Sequence, residues 1–132
     1  MTRYMLDTNM VSHLLKAHPL VTQRVIALPM AALCISAITE GELLFGLTKR
    51  PEAKQLQCVV LEFLRRVETH PWDSAAAAHY GMLHADMARQ GKGLSALDML
   101  IAAHALSLGA VLVTNDQAFA QIEQLLIEDW TA

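Results

Sequence analysis

Three short, mostly apolar runs constrain this chain more than anything else in it: YML near the start, LCIS at Leu33–Ser36 and AVLVT at Ala110–Thr114. Runs this short and this apolar suit strands buried on both faces, and the long stretches between them carry apolar residues at helical spacing. Strands alternating with helices predict an α/β fold: a short parallel sheet flanked by helices on both faces. The expected order is a strand at Arg3–Leu6, a helix at Asn9–Ala17 and a second helix from Pro19, which suits a first turn, to about Leu28. After LCIS, ITEGELLFGL reads as a helix despite two glycines, and Pro51 opens a longer one over Glu52–Val67 with Leu56, Val59, Val60, Phe63 and Leu64 as its apolar stripe. A short edge strand at Glu68–His70 precedes an alanine-rich helix capped by Asp73 and reaching Arg89. A helix over Ser95–Leu108 stops at Gly109, a short helix begins in NDQAF, and LLIEDW closes the chain as a final strand.

No repeat, low-complexity tract or linker interrupts this pattern, so residues 1–132 are expected to form one domain. No apolar run approaches the ~20 residues of a membrane span, and Asp7 breaks the first one too early for a signal peptide. A cytoplasmic protein with no membrane partner is the expectation. Cys34 and Cys58 stand far apart without CxxC spacing and are expected to be buried, reduced thiols. With 54% hydrophobic residues there is apolar surface to spare, which suits a partner-binding face or a homodimer.

In open parallel sheets ligands sit outside the carboxyl ends of the strands. Asp7 follows the first strand, Ser36 ends the second, and Thr114-Asn115-Asp116 follow AVLVT. Glu42 and Asp98 lie early in helices that should pack beside this edge, Asp98 on a helix that is otherwise apolar. Singly, each acid has a structural explanation. Thr39-x-x-Glu42 and Ser95-x-x-Asp98 match helix-capping patterns, and Asp7 and Asp116 could cap the helices that follow them. Glu40, beside Glu42, reads as solvated. Capping alone predicts no convergence, whereas the sheet predicts that all four acids meet. Two carboxylates at about 4 Å repel by roughly 4 kcal/mol at an effective dielectric of 20, so four would take up protons or hold a divalent cation. Oxygen-only donors favour Mg²⁺ or Mn²⁺ over zinc, and carboxylate-held Mg²⁺ serves phosphodiester hydrolysis. Thr8, Asn9, Ser36 and Thr114 would orient the carboxylates by hydrogen bonds.

The blocks MLDTN, ISAITxxELLFG, LDMLIAAHAL and VLVTNDxxF occur in that order across nearly the whole chain. Together they resemble PIN-domain ribonucleases, most closely the VapC-type toxins of bacterial toxin–antitoxin pairs. The resemblance implies a PIN-like three-layer sandwich and a metal-dependent endoribonuclease held inactive by a cognate VapB-type antitoxin. It also implies that Asp7 and Asp98 ligate the metal, that Glu42 lies close by, and that Asp116, at the most variable of the four positions, ligates directly or through water. The enteric-type toxins it is most similar to cut initiator tRNA in the anticodon loop.

The six histidines show no metal-ligand spacing and read as structural, His104 included. Net charge is −3 overall and +1 once the four acids are set aside, so the surroundings of the site are not acidic. Arg89 and Lys92, just before the Asp98 helix, and Lys49, beyond Glu42, could reach an RNA backbone. The apolar helix from Glu52 and the first two helices could form a groove for an antitoxin helix. A phosphotransferase with Asp7 as nucleophile fits less well, since Asn9 replaces the second acid of an Asp-x-Asp and VLVTND lacks a receiver-type lysine. A non-catalytic PIN-like RNA- or protein-binding module is the other alternative, and four intact acids argue against it.

Overall fold

The computed structural model describes Met1–Ala132. Its five strands, β1 (Tyr4–Leu6), β2 (Leu33–Ser36), β3 (Glu68–His70), β4 (Val111–Val113) and β5 (Ile127–Glu128), form one sheet in the order β3-β2-β1-β4-β5. Every neighbouring pair is parallel, with Tyr4 opposite Leu33 on one side and Val111 on the other. The helices are α1 (Thr8–Leu15), α2 (Pro19–Ile26), α3 (Ala37–Lys49), α4 (Lys54–Arg66), α5 (Ser74–Arg89) and α6 (Ala96–Leu108). None is long and apolar enough to cross a membrane.

Strand alternation builds two cores, because successive side chains point to opposite faces. Met5, Cys34 and Leu112 face a cluster completed by Leu83 and Met87 of α5 and by Ile101, Ala102 and Ala105 of α6. Leu6, Leu33, Ile35 and Val113 face the other, completed by α1, α2, α3, α4 and the buried Trp130. Helices therefore cover both sides of the sheet, as the apolar runs required.

Local signals place the ends. Pro19 occupies the first turn of α2, Asp73 caps α5 by accepting from Ala76 N at 3.1 Å, and Gly109 ends α6 in the left-handed conformation at φ 62°. β2, β3 and α5 have the expected bounds. Five expectations need correction. Pro51 and Glu52 form a turn, so the helix expected to open there starts at Lys54. The final strand shrinks from LLIEDW to Ile127–Glu128 because only that segment reaches β4. NDQAF forms a 3-10 turn over Gln117–Gln121. α3 starts at Ala37 on a Ser36 cap, which leaves Thr39 inside the helix. Cys58 is exposed on α4, although Cys34 is buried with its thiol pushed up to about 12 by burial.

Candidate active site

From β1 the chain runs outward through β2 to β3, then crosses back to β4 on the far side of β1. The reversal opens a crevice at the carboxyl ends of β1 and β4, the position where such sheets bind ligands. Asp7 N extends the ladder by donating to Val113 O at 3.1 Å, which sets Asp7 beside Thr114.

Asp7 is 4% exposed and caps α1, its Oδ1 accepting from Met10 N at 2.8 Å. Asp116 caps the 3-10 turn, its Oδ1 accepting from Ala118 N at 2.9 Å, while its own N–H donates to Thr114 Oγ1 at 3.0 Å. Asp98 is the third residue of α6, and its N–H donates to Ser95 Oγ at 3.3 Å. Three of the acids thus sit at helical N-termini, whose free N–H groups favour negative charge. Capping and convergence turn out to be compatible.

Two of the three acids respond to burial and to their neighbours. Burial raises Asp7 above the usual carboxylate range; Thr114 and the Met10 N–H oppose this, and Asp98 and Asp116 add to it. Burial likewise raises Asp98, opposed by Ser95 and reinforced by Asp116. Glu42 arrives from the second turn of α3, where Thr8 donates its hydroxyl to Oε1 at 2.6 Å. Thr8 also lies 3.3 Å from the Thr39 hydroxyl. Glu42 is therefore tied to the residue next to Asp7, and the Thr39 capping pattern does not form.

None of these four acids has a cationic partner. The ion pairs lie elsewhere, joining Arg24 to Glu128, Arg65 and Arg66 to Glu62, and Arg89 to Asp86. As the side chains stand, no three acids close on a single point. The donors are all oxygen, and nothing else neutralises them.

The other expected residues divide. Thr8 and Thr114 contact the acids as described. Asn9 is exposed and makes no hydrogen bond to them, because it lies on the outer side of α1. Ser36 is fully buried and turns to Ile38 N and His104 instead. Arg89 is paired with Asp86, and Lys92 donates to Gln121 O at 3.3 Å, clasping the loop before α6 to the turn after Asp116. Lys49 lies over the Phe45 ring at 5.1 Å and lines a cavity of about 280 Å³ that also includes Thr8 and Glu42. A cavity of about 760 Å³ flanks α5 and contains none of the four acids. The sequence reading took His104 as structural, and the only signal of its buried bond to Ser36 was a histidine inside the apolar run IAAHAL.

Comparison with known proteins agrees with this arrangement. The PIN domain matches residues 4–125. The chain is 35% identical over 132 residues to the tRNA(fMet)-specific endonuclease VapC of Shigella flexneri, covering 99% of this chain and 100% of that one. It is 37% identical to the protein of the same name from Salmonella typhimurium, covering 98% and 99%. The crystal structure of DNA-bound VapBC from Salmonella typhimurium superposes with a TM-score of 0.90 at 38% identity, covering 98% of this chain and 99% of its counterpart. The chain belongs to the PIN-domain family, among the VapC-type ribonuclease toxins.

Proposed function

We propose that this chain is a Mg²⁺-dependent endoribonuclease that cuts initiator tRNA, with Asp7, Glu42, Asp98 and Asp116 as its metal-holding acids. The observation that carries the reading is a set of mutually repelling carboxylates at the switch point, with no cation beside them. An all-oxygen donor set fits Mg²⁺, and Mn²⁺ as a substitute. Mg²⁺ keeps several waters and needs only one or two direct carboxylates, so three converging side chains are not required. When bound, the ion supplies charge neutralisation on the phosphate and an acidified water.

The chain's own residues supply the rest. Asp7 is held by the Met10 N–H and by Thr114, and its carboxylate would ligate the ion. Glu42, oriented by Thr8, is placed to hold a metal-bound water. Asp116 is fixed to the turn after β4 and Asp98 to the first turn of α6, so both approach from rigid elements. Lys49 at the rim of the groove meets the RNA backbone, with Arg89 and Lys92 farther along the edge.

The initiator tRNA assignment rests on the two relatives that carry that specificity in their names. A VapB-type antitoxin neutralises the enzyme, by analogy with the VapBC complex. Its seat is the groove between α1, α3 and α4, lined by Leu15, Leu43, Leu47 and Leu56 and ending at Glu42.

The test is cleavage by purified protein freed of antitoxin, on initiator and elongator tRNAs, with Mg²⁺ and with EDTA. Cutting of the initiator species that stops in EDTA supports the reading. Undiminished cutting by Asp7→Asn or Asp98→Asn removes the mechanism. Equal cutting of all tRNAs removes the substrate.

A further inference from the structure

His104 is 1% exposed within a fully buried stretch of α6, and the chemistry above does not use it. We propose that His104 is a positioning residue, the hub that ties the carboxyl ends of β2 and β3 to α6 and so sets Asp98 relative to Glu42. The inference rests on the reading of those acids as a metal site.

Its Nδ1 lies 2.7 Å from Ser36 Oγ, and Ser36 Oγ accepts from Ile38 N at 3.1 Å. The direction is set from the ring: its N–H bonds the Pro71 carbonyl, which leaves Nδ1 to accept the Ser36 hydroxyl proton. Nδ1 is then unprotonated, and the ring's N–H is on Nε2, the atom left to bond the Pro71 carbonyl. Each polar atom is used once. Burial and the neighbouring His70, at 6.5 Å and nearly perpendicular, keep the ring neutral against the opposing pull of Asp73. One turn earlier on α6, Trp72 Nε1 donates to Leu100 O at 3.0 Å.

Residues 36, 71 and 72 are thereby joined to α6 at the sheet edge that holds the acids. Ser36 is also the cap that starts α3. Glu42 lies six residues beyond Ser36, and Asp98 lies six residues before His104. At 1.5 Å per residue, each acid is about 9 Å along a helix from the same hydrogen bond. A shift at the hub is carried to both acids by rigid helices.

The experiment uses the antitoxin-free full chain and Mn²⁺ as the probe, free ion being counted by electron paramagnetic resonance alongside the melting temperature. His104→Ala and Ser36→Ala are each expected to weaken Mn²⁺ binding about tenfold, the low end of what losing an outer-shell partner costs. The double variant should be no worse than either single one. His104→Asn, whose amide can still meet Ser36, should recover most of the affinity. Val21→Ala, a cavity in the core on the opposite face, should melt earlier with Mn²⁺ binding unchanged. If His104→Ala does not fold, His104→Asn and Ser36→Ala decide. A folded His104→Ala that binds Mn²⁺ like the wild type overturns the inference alone, as does a Val21→Ala that loses binding equally. A wild-type chain that takes up no Mn²⁺ overturns the metal-site reading, and this inference with it.

Discussion

Two groups of polar side chains share the carboxyl edge of the sheet, and they are built on opposite terms. At the ends of β2 and β3, Ser36 and His104 satisfy one another and leave nothing over. At the ends of β1 and β4, burial together with Asp98 and Asp116 raises Asp7's affinity for protons, burial together with Asp116 raises that of Asp98, and none of the three acids has a cationic partner. A fully satisfied network rigidifies a fold, whereas an unsatisfied one is retained for what it binds. The first group should therefore matter to stability and to the placing of the acids, and the second to the chemistry itself.

The largest effect should come from the unsatisfied group. Asp7→Asn or Asp98→Asn is expected to slow RNA cleavage about 10³-fold, roughly 4 kcal/mol of the barrier, in a single-turnover assay with Mg²⁺. Loss of activity that merely follows loss of fold would blur the distinction between the two groups. Circular dichroism on the same samples checks that. The next effect belongs to the satisfied group. His104→Ala leaves Ser36 without its acceptor and opens a cavity, so chemical denaturation should show a loss of about 2–4 kcal/mol.

Part of this contrast was legible in the sequence. YML, LCIS and AVLVT showed a sheet buried on both faces, and that sheet placed Asp7 and Asp116 at one edge. Local capping signals at Ser95 and Asp73 were also readable, because an N-cap depends on three or four adjacent residues. Thr39-x-x-Glu42 misled because Ser36, three residues earlier, was free to cap instead, and only the end of β2 decides between them. The Ser36–His104 bond spans 68 positions, and no local pattern announces it. Asn9 looked like a support from its place in DTN, but the helical rotation after Asp7 turns it to solvent.

A pH series separates the groups further. The folded chain holds protons on Asp7 and Asp98 more tightly than an unfolded chain with ordinary values near 3.8. Ionising them therefore weakens the metal-free fold as pH rises through the window above 3.8, and the loss is complete above their raised values. His104 has the opposite sign. Its affinity for protons is lowered from 6.5, so its stabilisation is whole above 6.5 and is lost as pH falls below it. In metal-free thermal melts, the advantage of Asp98→Asn over wild type should shrink as pH drops toward 3.8. The disadvantage of His104→Ala should shrink below 6.5.

The smallest effect lies at the rim. Lys49→Ala should weaken RNA binding a few-fold at low salt and reduce the salt slope by about one unit, measured by fluorescence anisotropy with catalytically inactive protein.

One measurement tests the contrast most directly: the melting temperatures of wild type and Asp98→Asn, each antitoxin-free, in EDTA and then in saturating Mg²⁺. The Asp98 carboxylate caps no backbone N–H and its side-chain partner is Ser95, whose hydroxyl an Asn oxygen can equally accept from, so Asn at this position removes charge and little else. The account predicts that Asp98→Asn melts at or above wild type in EDTA, and that Mg²⁺ raises wild type well above the variant. A variant that melts below wild type in EDTA, with no response to Mg²⁺ in either protein, would show that Asp98 serves the fold, contradicting the account.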